Sequence, residues 1–268
     1  MYIFTAHFFQ IALIGGALIA ITAPLMGLFL VLRRLAMIGD TLSHVSLAGV
    51  ALGFLISVYP VAVGLIFSIA ASFGIEKLRR TYKTYAELSL AIMMSGGIAL
   101  ASILFTLGKG FSMNVNSYML TGSIYTLTGT DLWVIAGITV VVLTVVIVHK
   151  KELFLLTFDE DAAAVSGLPI RYFNILISIL TALVISAAIK IVGALLVSAL
   201  LTVPAACSLA LARSFRQSIV LVVAVGEVAV LAGLWIAGVW NLAPGGTIVL
   251  LLIGVLAVSL LSKRMFRV

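Results

Sequence analysis

Asp40 and His44 stand four residues apart in the stretch IGDTLSHVSLAGVALG, residues 38–53, at the start of an otherwise apolar run. Positions four apart on a helix share a face, so the pair can present a carboxylate oxygen and an imidazole nitrogen to one ion. Ionisable groups at mid-span cost about 2.5–3.5 kcal/mol on insertion scales and therefore face a cavity or a partner. A second chemistry fits the same spacing: Asp40 caps a helix that starts at Thr41, and His44 hydrogen-bonds to neighbouring backbone. Two donors do not close a zinc site, which takes four ligands, or three and a water. For an ion in transit that incompleteness is useful, because the site must release its cargo. Further donors are on offer from Glu227 in VAVGEVAVLAG, from Met93, Met94 and Ser95, or from a second copy of the chain. Glu227 is the most deeply placed acid, and an ion pair with Lys190 is its other reading.

The elements that must position these groups are membrane helices. The 268-residue chain is 63% hydrophobic and 9% charged, with a mean hydropathy of +1.32, whereas a soluble domain carries roughly 25% charged residues. Apolar runs of membrane-crossing length recur throughout, and no polar segment between them is long enough for a separate soluble domain. The sequence therefore reads as one all-α, polytopic membrane domain over residues 1–268. Polar breaks divide it into nine spans, near 8–32, 38–56, 60–76, 86–107, 131–149, 171–189, 193–212, 217–238 and 246–262. An eight-span arrangement with one short re-entrant segment fits the same pattern. The first run lacks a basic region before it and a small-residue cleavage site after it, so it reads as a retained span. Cys207 is the single cysteine; it excludes an internal disulfide and reads as a small buried apolar side chain.

Orientation follows from the basic residues. With the amino terminus outside, fourteen of the sixteen Lys and Arg face the cytosol, all but Lys109 and Lys190. That places the carboxyl terminus in the cytosol by the positive-inside rule. It also accounts for the net charge of +7 without nucleic acid, for which no basic stripe with interleaved aromatics exists. The outer segment GKGFSMNVNSYMLTGSIYTLTGTD is rich in Gly, Asn, Ser and Thr and suits docking or a re-entrant element. Two inner segments are punctuated for contact with a cytosolic partner. In KKELFLLTFDEDAAAVSGLPIRY, Asp159 or Thr157 caps a short helix through Ala162–Ala164, which Gly167 and Pro169 stop. In PAACSLALARSFRQSI, a span ends at Arg213 and Arg216. No GxxxxGK[ST] phosphate loop is present, and no GxSxG, HExxH or paired-Cys motif stands in a credible context, so the chain is read as neither an ATPase nor another enzyme.

Four segments together, GDTLSHVSLAGVALG, FDEDAAAVSGLP, VGALLVSALLTVPAACSLALA and APGGTIVLL, resemble the permease subunits of ABC transporters for zinc, manganese and iron, the metal-ion ABC-3 family. The likeness runs in the same order over essentially the whole chain. It implies a type II-like importer in the bacterial plasma membrane. Two permease copies would form the pore within membrane lipid, a cytosolic ATPase dimer would drive it, and an extracytoplasmic solute-binding protein would deliver the metal. The family's Asp-x-x-x-His pattern falls on Asp40 and His44, which the resemblance implies are pathway ligands. The family's coupling surface maps onto Arg213, Ser214, Phe215 and Arg216, continuing to Ile219, with Ala163 and Gly167 in the other inner loop. Glu227 matches no family motif and stands on its position alone. The divalent metal is then cargo, with no resident cofactor. The wording of GDTLSHVSLAG resembles the zinc branch, and imidazole favours zinc, so zinc is the expected metal, with manganese or iron as the alternative. A proton-coupled secondary transporter using Glu227 and Lys190 as a relay, or a purely structural membrane subunit, would use the same type of chain.

Overall fold

The computed structural model describes residues 7–82, 85–108, 122, 127–194 and 196–265. Lys83, Lys109, most of the outer segment 108–131 and Arg267 lie outside the described residues. The regular elements among those described are all helical: α1 His7–Leu32, α2 Met37–Leu55, α3 Pro60–Thr81, α4 Ala86–Leu107, α5 Gly129–Val148, α6 Lys150–Phe158, α7 Glu160–Val165, α8 Ile170–Val192, α9 Val197–Leu211, α10 Phe215–Trp240 and α11 Pro244–Met265. Eight of them, α1–α5, α8, α10 and α11, are long and apolar enough to cross a membrane. The remaining expected span, α9, has 15 residues. At 1.5 Å per residue it extends about 22 Å, short of the roughly 30 Å hydrocarbon core. The chain before it leaves the helical path at Gly193, whose φ of 87° ends α8. Gly193 and Ala194 are buried in protein, the one setting in which irregular backbone is tolerated at membrane depth.

α1 is central, with Phe9, Ile19, Met26, Phe29 and Leu30 fully buried against α8, α9 and α10. Hydrophobic burial does not drive one membrane helix onto another, so close packing and hydroxyl bonds must hold the bundle. Both occur between α2, α3 and α8. Ser68 Oγ donates to the Leu42 carbonyl (3.4 Å), Ser72 Oγ to the Ser178 carbonyl (3.3 Å), and Ser46 shares a bond with Ser186 (3.5 Å). A Cβ on Gly49 would lie 2.8 Å from Gly64 Cα, and one on Gly53 2.7 Å from Pro60 Cα. The Gly49–Gly53 pair is therefore a packing seam that joins α2 to α3 as an antiparallel hairpin.

The tightest crossing is at Gly27, where α1 meets α9. A Cβ there would sit 1.8 Å from the Leu201 carbonyl oxygen, a backbone atom that cannot swing aside. Gly27→Ala is expected to destabilise the purified protein by about 3 kcal/mol or more. Gly137→Ala in α5, with nothing within 4 Å, should change stability by less than about 0.5 kcal/mol. Thermal melting in detergent compares the two; equal effects would show that the α1–α9 crossing yields.

Candidate functional site

α2 begins at Met37, one turn before Thr41, with Ala36 at its N-cap and no side-chain cap bond. Arg34 adopts φ 57°, and the turn it makes lets the Leu35 carbonyl accept the Ile38 N–H at 3.0 Å. The helix is thus started by backbone, and the reading of Asp40 as a cap at Thr41 does not hold. Asp40 instead lies inside the first turn, its Oδ1 3.8 Å from His44 Nε2, with the side chains 30% and 17% exposed. Two donors held about 2.0–2.2 Å from one ion lie roughly 3–4 Å apart, so this separation is close to that of a chelating pair.

His44 opens into a cavity of about 440 Å³ shared with α4, where Ile98, Ser102 and Thr106 line the opposite wall. Gly97 brings α4 this close: a Cβ there would lie 2.8 Å from Val45 Cγ2 and 3.0 Å from Val45 N. Thr41 Oγ1 bonds the Leu90 carbonyl (3.3 Å) one level below, so α2 and α4 run alongside in the same direction. Sequence reasoning passed over Gly97, for which the only signal was the Gly-Gly pair at mid-span.

Among the described residues no group of three or more His, Cys, Asp or Glu converges as a metal site; Asp40 and His44 remain a pair. Met93 is turned to α3, where its methyl is the nearest atom to a Cβ built on Gly74 (3.2 Å). Glu227 lies half-buried on α10, next to Gly226, which packs on Pro24 and Ala20 of α1. The suggested Glu227–Lys190 ion pair is not formed. Lys190 Nζ lies 2.6 Å from Asp131 Oδ1 and 5.5 Å from the centroid of the Tyr59 ring.

Asp131 is itself a residue that spacing arguments missed. Its Oδ1 accepts from Tyr59 (2.5 Å) and Lys190 (2.6 Å), and its Oδ2 accepts from Thr128 N (3.0 Å) and Thr128 Oγ1 (2.7 Å). The local half of this network is a capping box, Thr-x-x-Asp at 128–131, a pattern that the sequence does carry. Burial first, then the bond and the charge of Asp131, hold the Tyr59 hydroxyl above the ordinary tyrosine range. The network joins the α2–α3 turn, the start of α5 and the end of α8.

At the opposite end the two punctuated segments meet. Asp159 caps α7, accepting the Ala162 N–H at 2.8 Å, and Gly167 ends it with φ 82°. Thr157, the other suggested cap, donates to the Leu153 carbonyl (2.6 Å) instead. Ala163 is fully buried and Val165 is 91% exposed, so Ala163 seats the short helix while Val165 projects from it. Ser214 caps α10 through the Gln217 N–H (3.3 Å), and Arg213 N donates to Gln217 Oε1 (2.8 Å). Arg213, Ser214 and Arg216 are exposed. Phe215 turns in and packs its ring on Phe29 (6.0 Å), Phe154 (5.0 Å) and Phe158 (5.6 Å). This aromatic cluster ties the α6–α7 segment and the start of α10 into one face.

A bundle of eight membrane-length helices, with an Asp–His pair beside a cavity and a built polar face at one end, has the architecture of a polytopic permease. Residues 5–263 match the ABC 3 transport family, and the chain belongs to that family. It is 33% identical over 244 residues, 91% of its length and 87% of the relative's, to the manganese import system permease protein ScaB of Streptococcus gordonii. It is 29% identical over 243 residues, 91% of this chain and 83% of the other, to the manganese transport system membrane protein MntC of Halalkalibacterium halodurans. Its fold matches the solved structure of PsaBC from Streptococcus pneumoniae in complex with Fab, with a TM-score of 0.86 and 30% identity over 96% of this chain and 92% of that one. The protein is a multi-pass bacterial membrane protein and a non-catalytic permease subunit of a divalent-metal ABC importer.

Proposed function

We propose that this chain is the pore subunit of a manganese importer and that two copies share one metal path. The observation that carries the metal is the match, at 29–33% identity over 91% of the chain, to permeases named for manganese import. Manganese thus replaces zinc as the favoured cargo. The donor chemistry agrees: a carboxylate is the natural ligand of manganese, and an imidazole beside it is tolerated. Manganese binds a given site more weakly than zinc, so a manganese path must select by geometry and donor type. Among the described residues one chain offers two convergent donors. A second copy facing the partly exposed Asp40 and His44 would bring the set to two carboxylates and two imidazoles.

The basic ends of the spans face the cytosol in this reading, and the carboxyl terminus lies with them. The face built by Phe215, with exposed Arg213 and Arg216, Ser214 and the α7 helix held by Ala163 and Gly167, receives a cytosolic ATPase dimer. A solute-binding protein delivers metal at the other end. Glu227, within α10, is a second candidate contact for the ion. Uptake of radioactive manganese and zinc by cells expressing the intact system tests this. Manganese uptake that exceeds zinc uptake, and that stops when the partner ATPase carries a dead catalytic site, is the expected result. Zinc in excess would overturn the cargo, and uptake that survives the dead ATPase would overturn the energy source.

A further inference from the structure

At the end of the bundle that carries Arg33, the turn between α1 and α2, the end of α3 and the start of α4 line a cavity of about 750 Å³. Its wall carries Arg33, Arg34 and Arg79 against one carboxylate, Glu87, together with the apolar Leu35 and Leu88. Two of these arginines are built in. The Arg33 side chain is 4% exposed, held by Asn174 Oδ1 at 2.7 Å and by Glu160 at 3.6 Å through the same Nη2. Its Nη1 is buried and has no hydrogen-bond partner among the described residues, and the same holds for Arg79 Nε. Glu76, which faces Arg79 at 3.7 Å, also faces Arg80 at 3.3 Å. Burial, and the charge of Arg79 against the pull of Glu160 and Glu76, hold Arg33 below the ordinary arginine range. Three guanidinium groups against one carboxylate on the wall leave a surplus of positive charge that an anion in the cavity would offset.

We infer that this cavity is a binding site for the phosphate headgroup of an anionic phospholipid in the cytoplasmic leaflet. Basic pockets between membrane helices on the cytoplasmic side have the charge and depth for such headgroups. The lining divides as an amphiphile does, with arginines for the phosphate and Leu35 and Leu88 for the start of the acyl chains. Tyr85, 70% exposed at the rim, has the amphipathic ring that settles at headgroup level. A free phosphate would use the arginines but not the apolar wall. The inference rests on the inward placement of the basic ends proposed above. Its failure is separable from that of the transport reading, because the test reads retained lipid and not uptake.

The test is native mass spectrometry of the purified permease–ATPase complex, exchanged into detergent with phosphatidylglycerol, with phosphatidylcholine, or with inorganic phosphate alone. Expected is one phosphatidylglycerol retained per permease chain in preference to phosphatidylcholine, and not displaced by inorganic phosphate. The Arg34→Gln, Arg79→Gln double variant should lose about 25-fold in affinity, taking each arginine as worth roughly fivefold. Arg34→Lys with Arg79→Lys should keep binding and shows that loss follows charge and not misfolding. Equal retention of the two lipids, displacement by inorganic phosphate, or no lipid retained in the complex would each overturn the inference; the last would mean that protein covers the cavity.

Discussion

Asp40→Ala and His44→Ala are each expected to lower the apparent affinity for manganese by at least roughly 100-fold, while the protein still reaches the membrane and melts close to the wild-type temperature. The two halves of this expectation come from different facts. Losing even a group that only orients a metal ligand costs 10–100-fold in affinity, and loss of a ligand exceeds that. The 3.8 Å contact between the two side chains, which are 30% and 17% exposed, is by contrast a weak ion pair, worth about 0–1 kcal/mol of stability. The converse pattern, a large fall in melting temperature with half-saturation unchanged, would make His44 a packing residue beside α4. Asp40→Asn sharpens the distinction, since it keeps the shape and removes the charge that holds a divalent ion. If two copies share the path, each substitution removes two of four donors at once, so the two variants should lose affinity to a similar extent. Uptake measured across manganese concentrations, with melting of the same preparations, reads both outcomes.

What could be read in advance followed local chemistry, and what could not depended on residues far apart in the chain. Hydropathy located the spans, because a run of about 20 apolar residues has few other uses. Asp159, Gly167 and Pro169 marked the short inner helix because cap and stop act within a few residues. Hydropathy put the start of α2 at residue 38, beside the observed Met37, and only the cap reading set it one turn late at Thr41; the positive φ of Arg34 lets backbone begin the helix, and nothing in the types of those residues demands that. α9 read as a full span because its apolar run continues back through residues 193–196, whereas the structure breaks the helix at Gly193. The Tyr59–Asp131–Lys190 network was invisible for another reason. Its members lie 59 and 72 residues apart, a separation over which periodicity carries no signal. The metal was the least legible feature. An aspartate and a histidine serve zinc and manganese alike, so two donors by themselves do not choose between the metals.

Lys190→Met is expected to destabilise the folded permease by about 3–5 kcal/mol, the cost of leaving a buried charge without its partner. Asp131 is 3% exposed, and each of its oxygens already accepts two hydrogen bonds. Tyr59 and Thr128 would still donate to it after the substitution, but neither carries the positive charge that balances the carboxylate. Asp131→Asn should cost less, because the Lys190 side chain is 17% exposed and its flexible stem can carry the ammonium towards water. The double variant Asp131→Asn, Lys190→Met has no charge left to compensate and should regain most of the loss. The coupling between the two sites should fall in the upper part of the 0.5–3 kcal/mol range typical of contacting residues. Thermal melting of the four proteins in one detergent measures that coupling. A Lys190→Met protein that loses less than about 1 kcal/mol would show that water reaches Asp131 and that the network does not hold the ends of α3, α5 and α8 together. A large loss with no recovery in the double variant would instead assign the effect to the packing of the lysine stem against Tyr59.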